Sequence, residues 1–313
     1  RDGNVLTRKR FLHVVAMAAG RIADATVIDD NGDTAVRANA PSREEALRRG
    51  HLILVADDNE TNQKVILQQL RVLGYAADVA SNGSEALHRF RGGRYGLVLT
   101  DLHMPQMDGY ELTAAIRAAE PGNSHTAIVA LTANALKGEA DRCRAAGMDD
   151  YLSKPVPLAR FKAVLDRWLT TSALDSQSVA DTTSSMKLSP AQSVDIGVLV
   201  ALVGNDPAVL RDILEDFRNS TGAIAAQLRR ACAIGLSAEA GAAAHKLKSS
   251  ARAIGALALA DLCELIEHAA ATGDGIKLTE QRRLFDEQLG QVDDAIAALL
   301  AADQPALRAG LHH

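Results

Sequence analysis

A chain of 313 residues is long enough for two domains of ordinary size, each with its own core. With 47% hydrophobic and 23% charged residues and a formal net charge of -5, it has an average globular make-up. An aromatic share of 3% and no concentrated Lys/Arg face leave a nucleic acid little to stack on or track along.

Other broad features narrow the class. Cys143, Cys232 and Cys263 are scattered and odd in number, which argues against a disulfide framework or structural zinc and for a reducing, cytoplasmic setting. No apolar stretch approaches the roughly 20 residues a bilayer span requires, and the first residues lack a signal-peptide pattern. The chain opens on Arg1 rather than Met, as a piece cut from a longer chain would.

Val5–Ala19 has the period of an amphipathic helix, whereas Arg21–Arg49 is polar and broken by Asp-Asn-Gly and Ala-Pro-Ser. Residues 1–50 are therefore expected to be a linker. From Leu52 to about Leu169, short apolar runs alternate with helical-period stretches, the pattern of a parallel sheet with crossover helices. Strands are expected at Leu52–Ala56, Ala76–Ala80, Gly96–Thr100, Ala127–Leu131 and near Tyr151. Helices should begin near Asn59, Gly83, Gly109, Leu136 and Val156, so that residues 51–170 form an α/β domain.

Residues 171–192 are rich in Ser, Thr and small residues without a steady period, and read as a flexible linker with an r.m.s. span of roughly 25 Å. Residues 193–303 are wholly helical in pattern. Asp206 caps a run from Ala208 to about Cys232 that has Pro207 at its first position, and Ser237 is expected to cap Ala238–Ile254. Leu257–Ala271 and Ile276–Leu300 complete a four-helix bundle, with a short leading helix near Ile196–Val203.

In an open α/β sheet, functional groups gather at the carboxyl ends of the strands. Asp57 and Asp58 end the first strand, Asp101 the third and Thr132 the fourth, and Lys154 follows the fifth. Carboxylates crowded at one edge repel one another unless a cation joins them, and Mg²⁺ is the hard cation suited to oxygen ligands. That set suits phosphoryl transfer, which relies on positioning and charge neutralisation. Asp101 would be the nucleophile. Asp57, Asp58, Asp101 and the backbone carbonyl of His103 would hold the metal, while Thr132 and Lys154 would bind phosphoryl oxygens. Taken singly, each acid reads equally well as a helix cap and the lysine as a surface residue.

The strings LILVADDN, LTDLHMPQMDG, ALTA and YLSKP together resemble the receiver domain of two-component response regulators, over about Leu52 to Leu169. The resemblance implies a flavodoxin-like five-stranded parallel sheet, an acid pair in Asp57 and Asp58, and a phosphoacceptor in Asp101. It further implies a switch hydroxyl in Thr132, a switch aromatic in Tyr151, and a cis Lys154–Pro155 peptide.

Among nine histidines, His245 stands apart. It lies mid-helix in AGAAAHKLKSSARAIGA, with Lys248 and Ser249 at i+3 and i+4 on its face and small residues before it. An uncrowded imidazole beside an ammonium suits a nucleophile that takes up a phosphoryl group and surrenders it. Lys246, Arg252, Ser249 and Ser250 are candidates for docking. The plain alternative is a helix face that happens to be basic. The string AHKLKSSARAIGA resembles the histidine phosphotransfer (HPt) domain over about Val194 to Ala302, with Ser249 where many members have Gly.

A receiver followed by an HPt domain resembles the C-terminal region of a hybrid sensor histidine kinase in a multistep phosphorelay. The resemblance implies that Asp101 takes phosphate from an upstream kinase histidine and exchanges it with His245, which passes it to a separate response regulator. It places this region on the cytoplasmic side of an inner-membrane bacterial sensor, without direct membrane contact, and the composition adds no expectation of nucleic acid. NVLTRKRFLHVVAMAAGR is similar to the last helix of a preceding receiver-like domain. No ATP-binding glycine motif is visible, so this stretch is not expected to phosphorylate itself from ATP. Two rivals are a Mg-dependent aspartyl-phosphate hydrolase, disfavoured because His103 stands where a second acid is wanted, and a docking module whose receiver switches a protein interaction.

Overall fold

The computed structural model describes residues 40–122, 124–133, 138–169 and 193–301. The expected helix at Val5–Ala19, the 171–192 linker and the start of a helix near Leu136 lie outside them.

The first described element is a short helix, α1 (Arg43–Arg49), capped by Ser42 and ended by Gly50 in the left-handed region. It corrects the reading of Arg21–Arg49 as linker over its last residues. Ala46 is fully buried in the core beneath the sheet and Arg43 binds Asp78 with Nη2 to Oδ2 at 2.7 Å, so this turn belongs to the α/β domain. The polar surface of REEALRR hid one buried alanine and an ion pair to a residue distant in sequence, neither of which has a periodic signature.

The α/β domain then runs β1 (Ile53–Ala56), α2 (Glu60–Val72), β2 (Ala77–Ala80), α3 (Gly83–Gly92), β3 (Leu97–Asp101), α4 (Gly109–Ala119), β4 (Ala127–Thr132), α5 (Glu139–Ala145), β5 (Asp150–Ser153) and α6 (Leu158–Leu169). The five strands are all parallel, in the order β2-β1-β3-β4-β5. Strand alternation divides the core in two. Leu54, Val98 and Ile128 pack on one face, and Ile53, Val55, Leu99 and Val129 pack with Phe161 and Leu165 on the other. α6 starts two residues after the expected position because Val156 precedes Pro157, which disfavours helical backbone there.

The helical domain is α7 (Ile196–Val203), α8 (Pro207–Ala233), α9 (Ser237–Ala253), α10 (Leu257–Thr272) and α11 (Gly275–Ala301). Asp206 caps α8 as expected, accepting from the Ala208 N–H at 3.0 Å. Ser237 does not cap α9: it is the first helical residue and makes no side-chain capping bond. Gly235, at φ 75°, turns the chain so tightly that the helix begins one residue earlier than the sequence pattern implies. A core of Leu210, Phe217, Leu247, Leu259, Phe285 and Ile296 fills the bundle.

The two domains are docked. Val65 on α2 is buried together with the bundle's core, and Thr61 Oγ1 lies 3.4 Å from Ser220 Oγ. Lys64 pairs with Asp212 at 3.1 Å and also with Asp216.

Candidate functional site

The acid pocket is assembled by strand ends. β1 runs directly into Asp57, whose carboxylate is held by the Asn59 N–H at 2.9 Å on Oδ1. Asn59 also caps α2, so the helix start and the acid are fixed by one turn. β3 ends on Asp101, whose Oδ1 accepts from the His103 N–H at 3.3 Å. The loop that follows returns at Gly109, where a Cβ would stand 2.3 Å from the Asp101 carbonyl oxygen; only glycine allows that approach. Lys154 sits after β5 on a cis Lys154–Pro155 peptide, and its N–H donates to Thr132 O at 2.7 Å.

The Lys154 ammonium donates to Asp57 Oδ2 at 2.7 Å and to Asp101 Oδ2 at 2.6 Å, with all three side chains largely shut from water. Burial opposes the charge on Lys154, but the two carboxylates outweigh it and raise its pKa. Burial pushes Asp57 up to about 6; Lys154 resists this and Asp101 adds to it. One oxygen from each of Asp57, Asp58 and Asp101 lies within 4.8 Å of the others, a set of hard anionic donors short of positive charge that could hold a metal ion. Thr132 is buried at the end of β4, and Tyr151 is half-buried against the core face that contains Ile128.

On α9, His245 has a side chain 25% exposed in the docked form, and its ring lies 4.6 Å from that of His103, tilted by 59°. His245 Nδ1 lies 3.4 Å from Glu267 Oε1. Lys248, expected from its spacing to be an ammonium beside the imidazole, is instead 2% exposed and donates to Glu267 Oε2 at 2.7 Å. It steadies the carboxylate next to His245. Burial alone would raise the Glu267 pKa, but His245 and Lys248 together bring it below the ordinary range. In His103, burial first and the neighbouring His245 second lower the pKa.

Glu267 is the residue that sequence reasoning missed. A signal was present: Leu259, Cys263 and Ile266 form the buried stripe of α10, and Glu267 falls on it one turn after Cys263. A carboxylate on an apolar stripe needs a partner.

Of the docking candidates, Lys246 and Arg252 reach the receiver. Lys246 Nζ donates to Asp58 O at 2.6 Å and Oδ2 at 2.9 Å, and Arg252 Nη1 donates to Ala133 O at 3.3 Å. Ser249 lines the space between the domains, while Ser250 turns inward to the Leu247 carbonyl at 3.0 Å. Asp101, His103 and His245 line one interdomain cavity of about 1040 Å³.

Residues 53–166 match the response regulator receiver domain and residues 212–302 match the Hpt domain. The chain thus carries a receiver followed by an Hpt domain, the pairing of hybrid sensor kinases, and belongs to multistep phosphorelay signal transduction. It is 34% identical over 244 residues to the virulence sensor protein BvgS of Bordetella pertussis, covering 75% of this chain and 19% of that protein. It is also 34% identical over 169 residues to the sensor protein EvgS of Escherichia coli, covering 54% of this chain and 13% of that protein. The chain thus spans less than a fifth of these relatives. Among solved structures, the receiver domain of a Pseudomonas aeruginosa sensor histidine kinase, with magnesium coordinated in its active site cleft, is 43% identical. That match covers 38% of this chain and 98% of that one at a TM-score of 0.36. Domains of these two kinds imply phosphorelay partners. Among the described residues, no helix is long and apolar enough to cross a membrane.

Proposed function

We propose that Asp101 and His245 exchange a phosphoryl group across the interdomain cavity. The observation that carries this reading is that both side chains line the same space, one from a sheet edge and one from the facing helix. In the forward step a carboxylate oxygen of Asp101 attacks phosphorus on an upstream kinase phosphohistidine, forming an acyl phosphate as the donor's P–N bond breaks. His245 then attacks that phosphorus through Nε2: a P–N bond forms, the P–O bond to Asp101 breaks, and the carboxylate returns to Lys154. Glu267 at Nδ1 orients the ring for this and stabilises the charge it gains. Lys154 pairs with the phosphoryl oxygens, with Thr132 as a second donor. Thr132 and Tyr151 act as the switch that reports the phosphorylated state.

Asp57, Asp58, Asp101 and the His103 carbonyl would hold Mg²⁺, whose bound charge offsets that of the transferring group. The donor set supports this, because three carboxylates that bring one oxygen each within 4.8 Å of the others offer a hard cation the anionic oxygens it prefers. A separate response regulator is the acceptor from His245. The parent chain is read as a sensor histidine kinase at the inner membrane with this region on its cytoplasmic side.

A labelled small-molecule phosphodonor tests the exchange. Wild type should carry label on both residues, with an acid-labile, base-stable fraction on His245. Asp101→Asn should lose both, and His245→Gln only the base-stable fraction. Label on His245 that persists in Asp101→Asn would refute internal transfer.

A further inference from the structure

We propose that Lys246 is a positioning residue whose ammonium competes with a divalent cation for the Asp58 carboxylate, so that docking of the helical domain and metal loading of the acid pocket oppose each other. This rests on the reading of Asp57, Asp58 and Asp101 as a cation site.

The three clustered acids do not share their counter-charges evenly. Lys154 bridges Asp57 and Asp101, at 2.7 and 2.6 Å, and makes no such bond to Asp58. Asp58 receives its cation from the other domain, with Lys246 Nζ at 2.9 Å from Asp58 Oδ2 and 2.6 Å from the Asp58 backbone oxygen. Two bonds to one residue fix the ammonium in place. The Lys246 backbone is tied to the same loop, since Asn59 Nδ2 donates to Lys246 O at 3.0 Å. Both ends of the lysine therefore grip the turn that follows β1.

Two consequences follow from chemistry. A metal ion that takes Asp58 oxygen must displace an ammonium already bonded there or bind beside it against its charge. Metal-free acids facing only Lys154 are short of positive charge, and the docked helix supplies it. Coupling of this kind is reciprocal, so cation binding weakens docking by the factor by which docking weakens cation binding. Because Lys246 is next in sequence to His245, its grip on Asp58 also sets where the imidazole stands over the pocket. A cation that frees Lys246 from Asp58 thus loosens the very contact that aligns the histidine.

The test is Mn²⁺ binding to the full chain at low ionic strength, read as free Mn²⁺ by electron paramagnetic resonance. Lys246→Ala should tighten Mn²⁺ on the order of tenfold, a common size for coupled sites. Lys246→Arg, which keeps the charge, should stay near wild type, and Asp58→Asn should weaken binding. If Lys246→Ala stays within about twofold of wild type while Asp58→Asn loses Mn²⁺, the competition is refuted and the cation site stands. Tightening in Lys246→Arg equal to that in Lys246→Ala would also refute it, because the charge would then not be the competitor. If Asp58→Asn binds as wild type does, the acid-pocket reading itself fails and this inference with it.

Discussion

The acid pocket and the histidine helix solve the same problem in opposite ways. The receiver gathers Asp57, Asp101, Thr132 and Lys154 from the ends of four strands, so its site exists only once the sheet is paired. The Hpt domain places His245, Lys246 and Lys248 on one helical segment and takes a single further group, Glu267, from the next helix. The first is a buried network in which one ammonium serves two carboxylates. In the second, one carboxylate serves a lysine and the His245 ring. A shared ammonium is a single point of failure, whereas a shared carboxylate leaves the imidazole in place when its partners change.

The largest expected effect breaks the receiver network. Lys154→Met leaves two buried carboxylates without their common cation and should lower the stability of the receiver's urea transition by roughly 3 kcal/mol at neutral pH with chelator present. Lys248→Met, the corresponding change in the bundle, strips Glu267 of one charged bond and should cost about 2 kcal/mol in the helical domain's transition. A loss in Lys248→Met larger than in Lys154→Met would invert the comparison.

Acid should then separate the two regions by sign. Folding raises Asp57 from 3.8 to about 6, so its contribution is fully present below its unfolded value and is lost as pH rises through about 6. Glu267 is lowered on folding, so its contribution is present above its unfolded value and is lost as pH falls through the depressed one. Between pH 4 and 6, in chelator, Asp57→Asn should flatten a decline of receiver stability with rising pH, and Glu267→Gln should flatten an acid loss in the bundle. Urea midpoints across that range decide it; a common sign for both would show that burial, rather than the particular partner, governs the pair. The smallest effect lies at the rim of the docked surface. Lys64→Ala removes a pair with exposed Asp212 and one with part-buried Asp216 and should weaken interdomain docking by less than about fivefold, with the difference shrinking at high salt. Scattering measurements of domain separation at two salt concentrations would show it.

How much of this was legible in the sequence follows the same division. Residues contributed by a strand end or a helix period were readable, because Asp57, Asp101 and Lys154 each follow a β-run and His245 breaks a run of alanines. The α1 turn was not readable, since its attachment is a single buried Ala46 and an Arg43–Asp78 pair across the chain. Lys248 was placed on the correct helix face but in the wrong environment. Spacing tells that a side chain shares a face with His245; only the neighbouring helix tells whether that part of the face meets water, and here α10 covers it.

By itself, the sequence determined the two-domain plan, the parallel sheet, the helical bundle and which carboxylates gather at the strand ends, because period, caps and strand-end residues are local properties of the chain. The tertiary structure alone decided that Lys154 bridges two acids, that Glu267 and not a free Lys248 faces His245, and that Lys246 closes on Asp58. Those outcomes depend on which charges share a small buried volume, and elements far apart in the chain set that volume only when they pack.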